Sequence, residues 1–145
     1  MVKKEINILC VCIHNSARSQ IAEVFLNNLS ENIIAKSAGI QPGKLNQLAV
    51  ASMLELGIDI SKNKTKSIEE ILRKNIRFDY VIFVCAESQT NSCPVIPYES
   101  KKIYWPIDDP SLLSGTAMLK LKKIALIRDK IQVLVKNFIE EYKIL

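Results

Sequence analysis

The chain has 145 residues and a formal charge of +5 at pH 7, so it favours anionic partners without choosing among them. Its length indicates one domain, residues 1–145, and a hydrophobic content of 48% excludes an intrinsically disordered chain. No apolar run approaches the ~20 residues that a membrane-spanning helix needs. The short apolar stretch near the N-terminus is not followed by a cleavage site, so we expect a cytoplasmic protein without a membrane partner.

Apolar strands alternate with amphipathic helices along the chain. Strands are predicted at residues 6–12, 33–36, 80–85 and 103–105, and residues 37–39 are expected to close the second one. Helices are predicted at residues 17–29, 46–56, 67–75 and 116–142, and a long polar loop at residues 86–100. This alternation predicts an α/β fold built on a parallel sheet.

Reactive side chains follow three of the predicted strands. Cys12 ends the first strand, Cys85 ends the third, and Asp108 and Asp109 lie in the loop after the fourth. Ligands of open parallel sheets bind beyond the carboxyl ends of the strands, so we expect these groups to meet at one edge.

The loop after the first strand has the pattern of an anion site with a nucleophile. Its cysteine, Cys12, stands six positions before Arg18, at the start of a predicted helix whose N–H groups and dipole attract a tetrahedral oxyanion. Arg18 offers a bidentate fork, and the same field stabilises the nucleophilic thiolate. We expect Ser19 to donate its hydroxyl to the sulfur and Asn15 to hold the loop in a left-handed conformation. The predicted oxyanion loop comprises Ile13, His14, Asn15, Ser16, Ala17, Arg18 and Ser19.

The segment ILCVCIHNSARSQIAE, residues 8–23, resembles the phosphate-binding loop and first helix of the low-molecular-weight tyrosine phosphatase superfamily. Its form is similar to that of the thioredoxin-coupled arsenate reductases. Further stretches match in order and spacing: KSAG at 36–39, GIDIS at 57–61, Cys-Pro at 93–94 and Asp-Asp-Pro at 108–110. The resemblance covers nearly the whole chain. It implies a single-domain three-layer sandwich: a four-stranded parallel sheet flanked by helices, with the phosphate-binding loop between the first strand and the first helix.

The resemblance also implies an arsenate reductase mechanism with named roles. Cys12 attacks arsenate and forms an arseno-adduct, with Asp109 as the general acid. Cys85 then attacks, arsenite leaves, and Cys93 moves the disulfide to a position where thioredoxin, glutaredoxin or another thiol donor reduces it. No tightly bound cofactor is implied.

The main alternative is a low-molecular-weight protein tyrosine or small-phosphoester phosphatase. It needs Cys12, Arg18 and Asp109 but neither relay cysteine, because water hydrolyses its thiophosphate intermediate. Ser-Leu-Leu at residues 111–113 stands where phosphotyrosine enzymes of the superfamily carry two aromatic residues, which disfavours phosphotyrosine. A redox-sensing or interaction protein that kept the loop is a third interpretation.

Metal and nucleic-acid sites are weaker alternatives. The cysteines Cys10, Cys12, Cys85 and Cys93 do not have the spacing of a common zinc site, and Cys10 is expected in the core. Some relatives bind potassium at positions resembling Asn15, Glu23 and Ser37, but a further aspartate of theirs is replaced near Lys66. The lysine-rich stretches lack interleaved aromatic residues, so no nucleic-acid partner is expected.

Overall fold

The computed structural model describes residues 5–86 and 96–144, which form a sheet flanked by helices. The strands are β1 (Ile6–Cys12), β2 (Ile33–Gly39), β3 (Tyr80–Cys85) and β4 (Lys101–Pro106). The helices are α1 (Arg18–Leu29), α2 (Gln47–Leu54), α3 (Ile68–Leu72) and α4 (Ala117–Glu141). A short 3-10 turn, Pro110–Leu112, follows β4. Among these described helices, none combines the length and the apolar character that crossing a bilayer requires.

The four strands form one sheet in the order β2-β1-β3-β4, and every neighbouring pair is parallel. The central strand β1 is apolar on both faces, and its residues Ile8, Leu9 and Cys10 have no exposed surface. Burial on both faces is typical of a strand that is covered by helices on either side. The predicted α/β fold with a four-stranded parallel sheet is confirmed.

Side chains alternate between the two faces of the sheet, which creates two apolar layers. On one face, Ile8 and Ile82 pack in a cluster with residues of α1, α2 and α4, among them Ile21, Met53 and Ile124. On the other face, a smaller cluster forms against α3; it contains Leu9, Val11, Ile68, Ile71, Phe83, Cys85 and Ile96. The helices on both sides leave the carboxyl ends of the strands accessible for a site.

Two strands are longer than predicted. Residues 37–39 do not close β2: they pair with Cys10, Val11 and Cys12 of β1, so the strand continues to Gly39. Strand β4 begins at Lys101 because its exposed lysines pair with Tyr80 and the next residue of β3. An apolar-run criterion misses both extensions, since small or charged residues in a ladder are held by backbone hydrogen bonds.

Helices α2 and α3 end earlier than predicted, at Leu54 and Leu72. Single residues of left-handed backbone follow each of them, Gly57 with a φ of 76° and Asn75 with a φ of 55°. The apolar periodicity continues past both ends, because Ile58 and Ile76 still pack against the core clusters from turns rather than from a helix. The predicted loop at residues 86–100 lies mostly outside the described residues.

A side chain of α1 completes the edge of the sheet at β2. Asn27 accepts the backbone N–H of Ala35 at 2.7 Å and donates its Nδ2 to the carbonyl of Ala35 at 3.1 Å. The amide therefore takes the place of a neighbouring strand for one residue of β2. Such a contact satisfies edge groups that a further strand would otherwise pair.

We expect Asn27→Ala to lower the free energy of unfolding by about 1–2 kcal/mol, because two backbone groups of β2 lose their partner. The neighbouring Asn28→Ala, at an exposed position, is the control and should stay within about 0.5 kcal/mol of the wild type. Urea denaturation followed by circular dichroism measures both. Equal losses in the two variants would contradict the assigned role of Asn27.

Candidate active site

The loop between β1 and α1 lies at the carboxyl edge of the sheet, where the sequence predicts the oxyanion loop. Cys12 ends β1 with 3% of its surface exposed, and Arg18 begins α1 with 2% exposed. Asn15 is fully buried between them and has a φ of 53°, so the predicted left-handed conformation is confirmed. The loop is a packed part of the interior rather than a surface connection.

Every backbone carbonyl of residues 12–16 accepts a hydrogen bond on the outer side of the loop. Four of them accept backbone N–H groups from segment 40–46, which follows β2. The pairs are Ile40 to Cys12 at 3.2 Å, Gln41 to Ile13 at 2.8 Å, Gly43 to His14 at 3.0 Å and Asn46 to Ser16 at 2.9 Å. The fifth carbonyl, that of Asn15, accepts Nε2 of Gln20 at 3.2 Å.

This outer bonding determines where the N–H groups of the oxyanion loop point. In a planar trans peptide the C=O and the following N–H point in opposite directions, and the described residues contain no cis peptide bond. The N–H groups of residues 13–17 therefore face the interior of the loop. The N–H of Asn15 shows this orientation directly, since it lies 3.2 Å from Sγ of Cys12. Together with the N-terminus of α1, these donors form a concave site for a tetrahedral oxyanion.

The sulfur of Cys12 makes a second hydrogen bond. Oγ of Ser19 lies 2.9 Å from it, and the same Oγ accepts Nδ2 of Asn15 at 2.7 Å. Because Asn15 supplies the hydrogen of that shorter contact, the hydroxyl of Ser19 keeps its own hydrogen available for the sulfur. The predicted contact between Ser19 and Cys12 is confirmed.

Arg18 joins the oxyanion loop to the loop after β4. Its Nη1 donates to the carbonyl of Ile107 at 3.0 Å, and its Nη2 lies 3.6 Å from Oδ2 of Asp109. Asp109 is itself buried, and its Oδ1 accepts both the N–H and the hydroxyl of Ser111, at 2.9 and 2.7 Å. The structure thus brings Cys12, Arg18 and Asp109 to one edge of the sheet, as the sequence predicts. Asp108 is exposed on the outer side of this loop.

A family model described as "Low molecular weight phosphotyrosine protein phosphatase" matches residues 7–143. The chain belongs to this family. It is 37% identical to an arsenate reductase from Shouchella clausii over 141 residues, which cover 97% of this chain and 98% of that protein.

Two solved structures illustrate both branches of the family. One, "An arsenate reductase in the phosphate binding state", is 28% identical with a TM-score of 0.71, covering 94% of this chain and 98% of that chain. The other is a low molecular weight protein tyrosine phosphatase from T. tengcongensis, 26% identical with a TM-score of 0.74, covering 94% and 99% of the two chains. The resemblance to phosphatase-like arsenate reductases is confirmed.

Cys85 lies at the end of β3, which neighbours β1 in the sheet. Val11 pairs with Phe83, so Cys12 and Cys85 extend one and two residues beyond this pair. From the spacing of neighbouring strands and the rise per residue, their Cα atoms lie roughly 6 Å apart, within the range of a disulfide. Cys10, Cys12 and Cys85 are all buried thiols in this structure. Cys93, the other predicted relay residue, lies outside the described residues.

The side chain of Cys85 packs in the cluster against α3, with Val11, Phe83 and Ile96. The sulfur of Cys12 instead turns towards Ser19 of α1. A direct bond between the two sulfurs therefore requires the end of β3 to rearrange, even though the backbones are close.

The zinc alternative gains no support from the described residues. Within residues 5–86 and 96–144, no three His, Cys, Asp or Glu side chains lie together in a way that would hold a metal ion. Cys10 is fully buried in the core, as expected, and burial together with the nearby Glu23 raises the pKa of its thiol.

One of the three expected potassium donors, the amide oxygen of Asn15, already has two hydrogen-bond donors in this chain. Oδ1 of Asn15 already accepts the N–H of Lys66 at 3.0 Å and Nε2 of Gln20 at 3.2 Å. The ammonium of Lys66 brings positive charge next to Glu23, and burial lowers the pKa of Lys66. We therefore assign no step to potassium. Burial raises the pKa of the Glu23 carboxyl, against the lowering influence of Lys66 and Ser37.

His14 is turned away from the anion-binding side. Its Nδ1 lies 2.9 Å from the carbonyl of Gln41, and because a carbonyl only accepts, Nδ1 carries the hydrogen. His14 therefore helps to hold segment 40–46 against the outer side of the loop.

Periodicity and spacing in the sequence do not show what Gln20, Gly39 and segment 40–46 contribute to the site. At Gly39, an added Cβ would lie 2.9 Å from N of Asn15, C of His14 and O of Ile13. The match of KSAG to the family marks the position, but only the tertiary structure shows that the backbone of β2 touches the back of the oxyanion loop there.

We expect Gly39→Ala to weaken binding of inorganic phosphate at least about tenfold, because the backbone of the oxyanion loop must move to make room for the methyl group. Gly43→Ala is the control: the atoms nearest to its added Cβ belong to the side chain of His14 and lie 3.4 Å away or farther, which is an ordinary van der Waals contact. Isothermal titration calorimetry measures both affinities. Unchanged phosphate binding in Gly39→Ala would show that this contact does not shape the loop.

We expect Glu23→Gln to change how stability depends on pH. The pKa of Glu23 is higher in the folded protein than in the unfolded chain, where it is about 4.3. The folded state therefore holds this proton more tightly, and the contribution of Glu23 to stability is lost as pH rises through the folded pKa. The free energy of unfolding of Glu23→Gln, relative to wild type, should therefore rise as the pH increases above the pKa of Glu23 in the unfolded chain. A pH-independent difference in denaturation midpoints would contradict the raised pKa.

Proposed function

We propose that this protein is a cytoplasmic arsenate reductase that uses Cys12, Arg18, Asp109, Cys85 and Cys93. Two observations support the proposal together. The curated relative from S. clausii, 37% identical over almost all of both chains, is an arsenate reductase. A second thiol, that of Cys85, ends the strand next to the one that ends at Cys12. The second observation carries the choice of reaction, because a phosphatase has no use for this thiol.

The oxyanion loop binds arsenate through the N–H groups of residues 13–17 and the guanidinium of Arg18. Arsenate and phosphate are tetrahedral oxyanions of the same charge, so the same donors fit both. The sulfur of Cys12 lies at the base of this site and accepts hydrogen bonds from Asn15 and Ser19. It is placed to attack the central atom of the bound anion.

In the first step the thiolate of Cys12 forms a bond to arsenic while an arsenic–oxygen bond breaks. The departing oxygen needs a proton and leaves as water. Asp109 is the candidate donor, since its carboxyl lies next to Arg18 and therefore beside the bound anion. In the structure its Oδ1 is occupied by Ser111, which leaves Oδ2 as the atom that faces Arg18.

The second step supplies two electrons from thiols. The thiolate of Cys85 attacks the sulfur of Cys12, a disulfide forms, and the electron pair of the sulfur–arsenic bond reduces As(V) to As(III), which leaves as arsenite. Cys93 then attacks Cys85 and releases Cys12 as a thiolate. Ile96, three positions after Cys93 in the sequence, packs in the same cluster as Cys85. A dithiol donor, thioredoxin or glutaredoxin, reduces the remaining disulfide.

A phosphatase acting on a small phosphoester is the second candidate. The family name and the likeness to the T. tengcongensis phosphatase favour it, and it uses the same oxyanion loop. In this chain residues 111–113, which follow Asp109 and Pro110, include no aromatic residue that could hold a phosphotyrosine ring. Leu112, in the middle of this segment, is 78% exposed. Side phosphatase activity on small aryl phosphates remains compatible with reductase activity, because both use the Cys12 thiolate.

The deciding experiment measures arsenate-dependent oxidation of NADPH with thioredoxin and its reductase, and separately with the glutaredoxin system. We expect sustained turnover in the wild type and turnover at background level in Cys12→Ser, Cys85→Ser and Cys93→Ser. Cys10→Ala is the matched control, since Cys10 is a core thiol, and it should retain turnover.

The same proteins are tested on para-nitrophenyl phosphate to separate the two functions. Cleavage that survives Cys85→Ser and Cys93→Ser together but not Cys12→Ser, without arsenate turnover by any donor, would make the protein a phosphatase. Full multiple-turnover arsenate reduction by Cys85→Ser would overturn the proposed relay.

A further inference from the structure

The amide of Gln20 is fully buried in the first turn of α1, and no step of the proposed reaction uses it. Its Nε2 lies within hydrogen-bonding distance of three oxygen atoms: O of Asn15 at 3.2 Å, Oδ1 of Asn15 at 3.2 Å and O of Lys64 at 3.0 Å. Its Oε1 accepts Nδ2 of Asn63 at 3.1 Å. The Gln20 side chain is therefore fully buried, and both the NH2 group and the oxygen of its amide have hydrogen-bond partners.

These contacts allow one orientation of the Gln20 amide. The backbone carbonyls of Asn15 and Lys64 only accept, so the NH2 group must face them and share its two hydrogens among three oxygens. The opposite orientation would place Oε1 against these carbonyls and leave the donor of Asn63 facing an NH2 group. The loop that carries Asn63 and Lys64 therefore fixes the orientation of the Gln20 amide.

The orientation of the Gln20 amide determines the orientation of the Asn15 amide. Oδ1 of Asn15 receives Nε2 of Gln20 and the N–H of Lys66, so its Nδ2 must turn to Ser19. Since Asn15 supplies the hydrogen of that contact, the hydroxyl of Ser19 keeps its own hydrogen for the sulfur of the Cys12 thiolate. The chain of hydrogen bonds therefore runs from Gln20 through Asn15 and Ser19 to the nucleophile.

Gln20 also completes the outer bonding of the oxyanion loop. Segment 40–46 holds the carbonyls of residues 12, 13, 14 and 16 but not that of Asn15. Nε2 of Gln20 holds this remaining carbonyl, and the N–H of Ser16 in the same peptide therefore faces the anion site. One side chain supports both the thiolate and one donor to the oxyanion.

We propose that Gln20 is a positioning residue that orients Asn15, and through it stabilises the Cys12 thiolate and completes the ring of N–H donors for the oxyanion. This inference rests on the proposed role of Cys12 as the nucleophile. Gln20 touches neither the sulfur nor the anion; it acts by fixing which end of the Asn15 amide faces Ser19.

The test variant is Gln20→Met, which keeps an unbranched side chain of similar length and removes all polar contacts. Two properties are measured without arsenate or any reductant: the affinity for inorganic phosphate, and the pH at which alkylation of Cys12 by iodoacetamide reaches half its maximal rate. Peptide mass spectrometry follows Cys12 separately from the other thiols. We expect the half-maximal pH to rise by roughly one unit and phosphate binding to weaken about fivefold to tenfold.

Gln47→Met in α2 is the control, because Gln47 is exposed and its amide contacts only a local carbonyl, that of Leu45. Neither property should change in it. In the Gln20→Met background, Ser19→Ala should shift the half-maximal pH less than it does in the wild type, since both changes act on the same chain of contacts.

A Gln20→Met protein with lower thermal stability but wild-type half-maximal pH and phosphate affinity would overturn the proposal and leave Gln20 as core packing. If Gln20→Met does not fold, Asn63→Ala decides, because it removes the donor to Oε1 and leaves Gln20 in place. A smaller rise in half-maximal pH then supports the proposal, and unchanged values of both properties overturn it. Absence of arsenate turnover in the wild type would affect the proposed function alone, since neither readout depends on it.

Discussion

The site depends on one constraint: five consecutive carbonyls, those of residues 12–16, are held from outside the oxyanion loop. Peptide N–H groups repel each other when several converge on one point, and a short loop does not adopt such a conformation unaided. Because every carbonyl accepts a hydrogen bond on the outer side, the peptide groups cannot turn over, and the N–H groups face inwards before an anion arrives. Donors that are fixed in advance need no reorganisation during the reaction, which is the condition for strong electrostatic stabilisation. The left-handed backbone at Asn15 is strained for a residue other than glycine, and its buried contacts maintain it.

Arg18 extends this arrangement to the opposite side of the site. A guanidinium that is 2% exposed requires partners, and the carbonyl of Ile107 and the carboxylate of Asp109 provide them. The same contacts anchor the loop after β4 to the start of α1. The anion-binding group and the candidate acid are thereby positioned by each other, although 91 positions separate them in the chain. In the proposed reaction, a single side chain therefore couples substrate binding to proton delivery.

The oxyanion loop alone does not separate a reductase from a phosphatase, since tetrahedral arsenate and phosphate satisfy the same donors. The difference lies around the loop. In the proposed reaction, the thiol of Cys85, at the end of the strand adjacent to β1, provides electrons. The loop that carries Asp109 continues with residues 111–113, Ser-Leu-Leu, instead of aromatic residues. The pleat of the sheet places Cys85 in the α3 cluster, so the reduced protein keeps this thiol packed with apolar side chains until the reaction requires it. A conformational change at the end of β3 therefore belongs to the redox cycle in this proposal.

Local sequence patterns were sufficient for the α/β fold, for the strand–loop–helix context of Cys12 and Arg18, for the left-handed backbone of Asn15 and for the contact of Ser19 with Cys12, because these follow from periodicity and from residues within one loop. The expectation that Cys12, Cys85 and Asp109 reach one edge also followed, since parallel strands place their carboxyl ends together. The roles of Gln20, Gly39 and segment 40–46, and the extension of β2, were decided by the tertiary structure. Their partners lie up to 44 positions away in the chain, and segment 40–46 and β2 act through backbone hydrogen bonds, which place no demand on side-chain type. A pattern of residue types therefore cannot show them, whereas the packed backbone determines them completely.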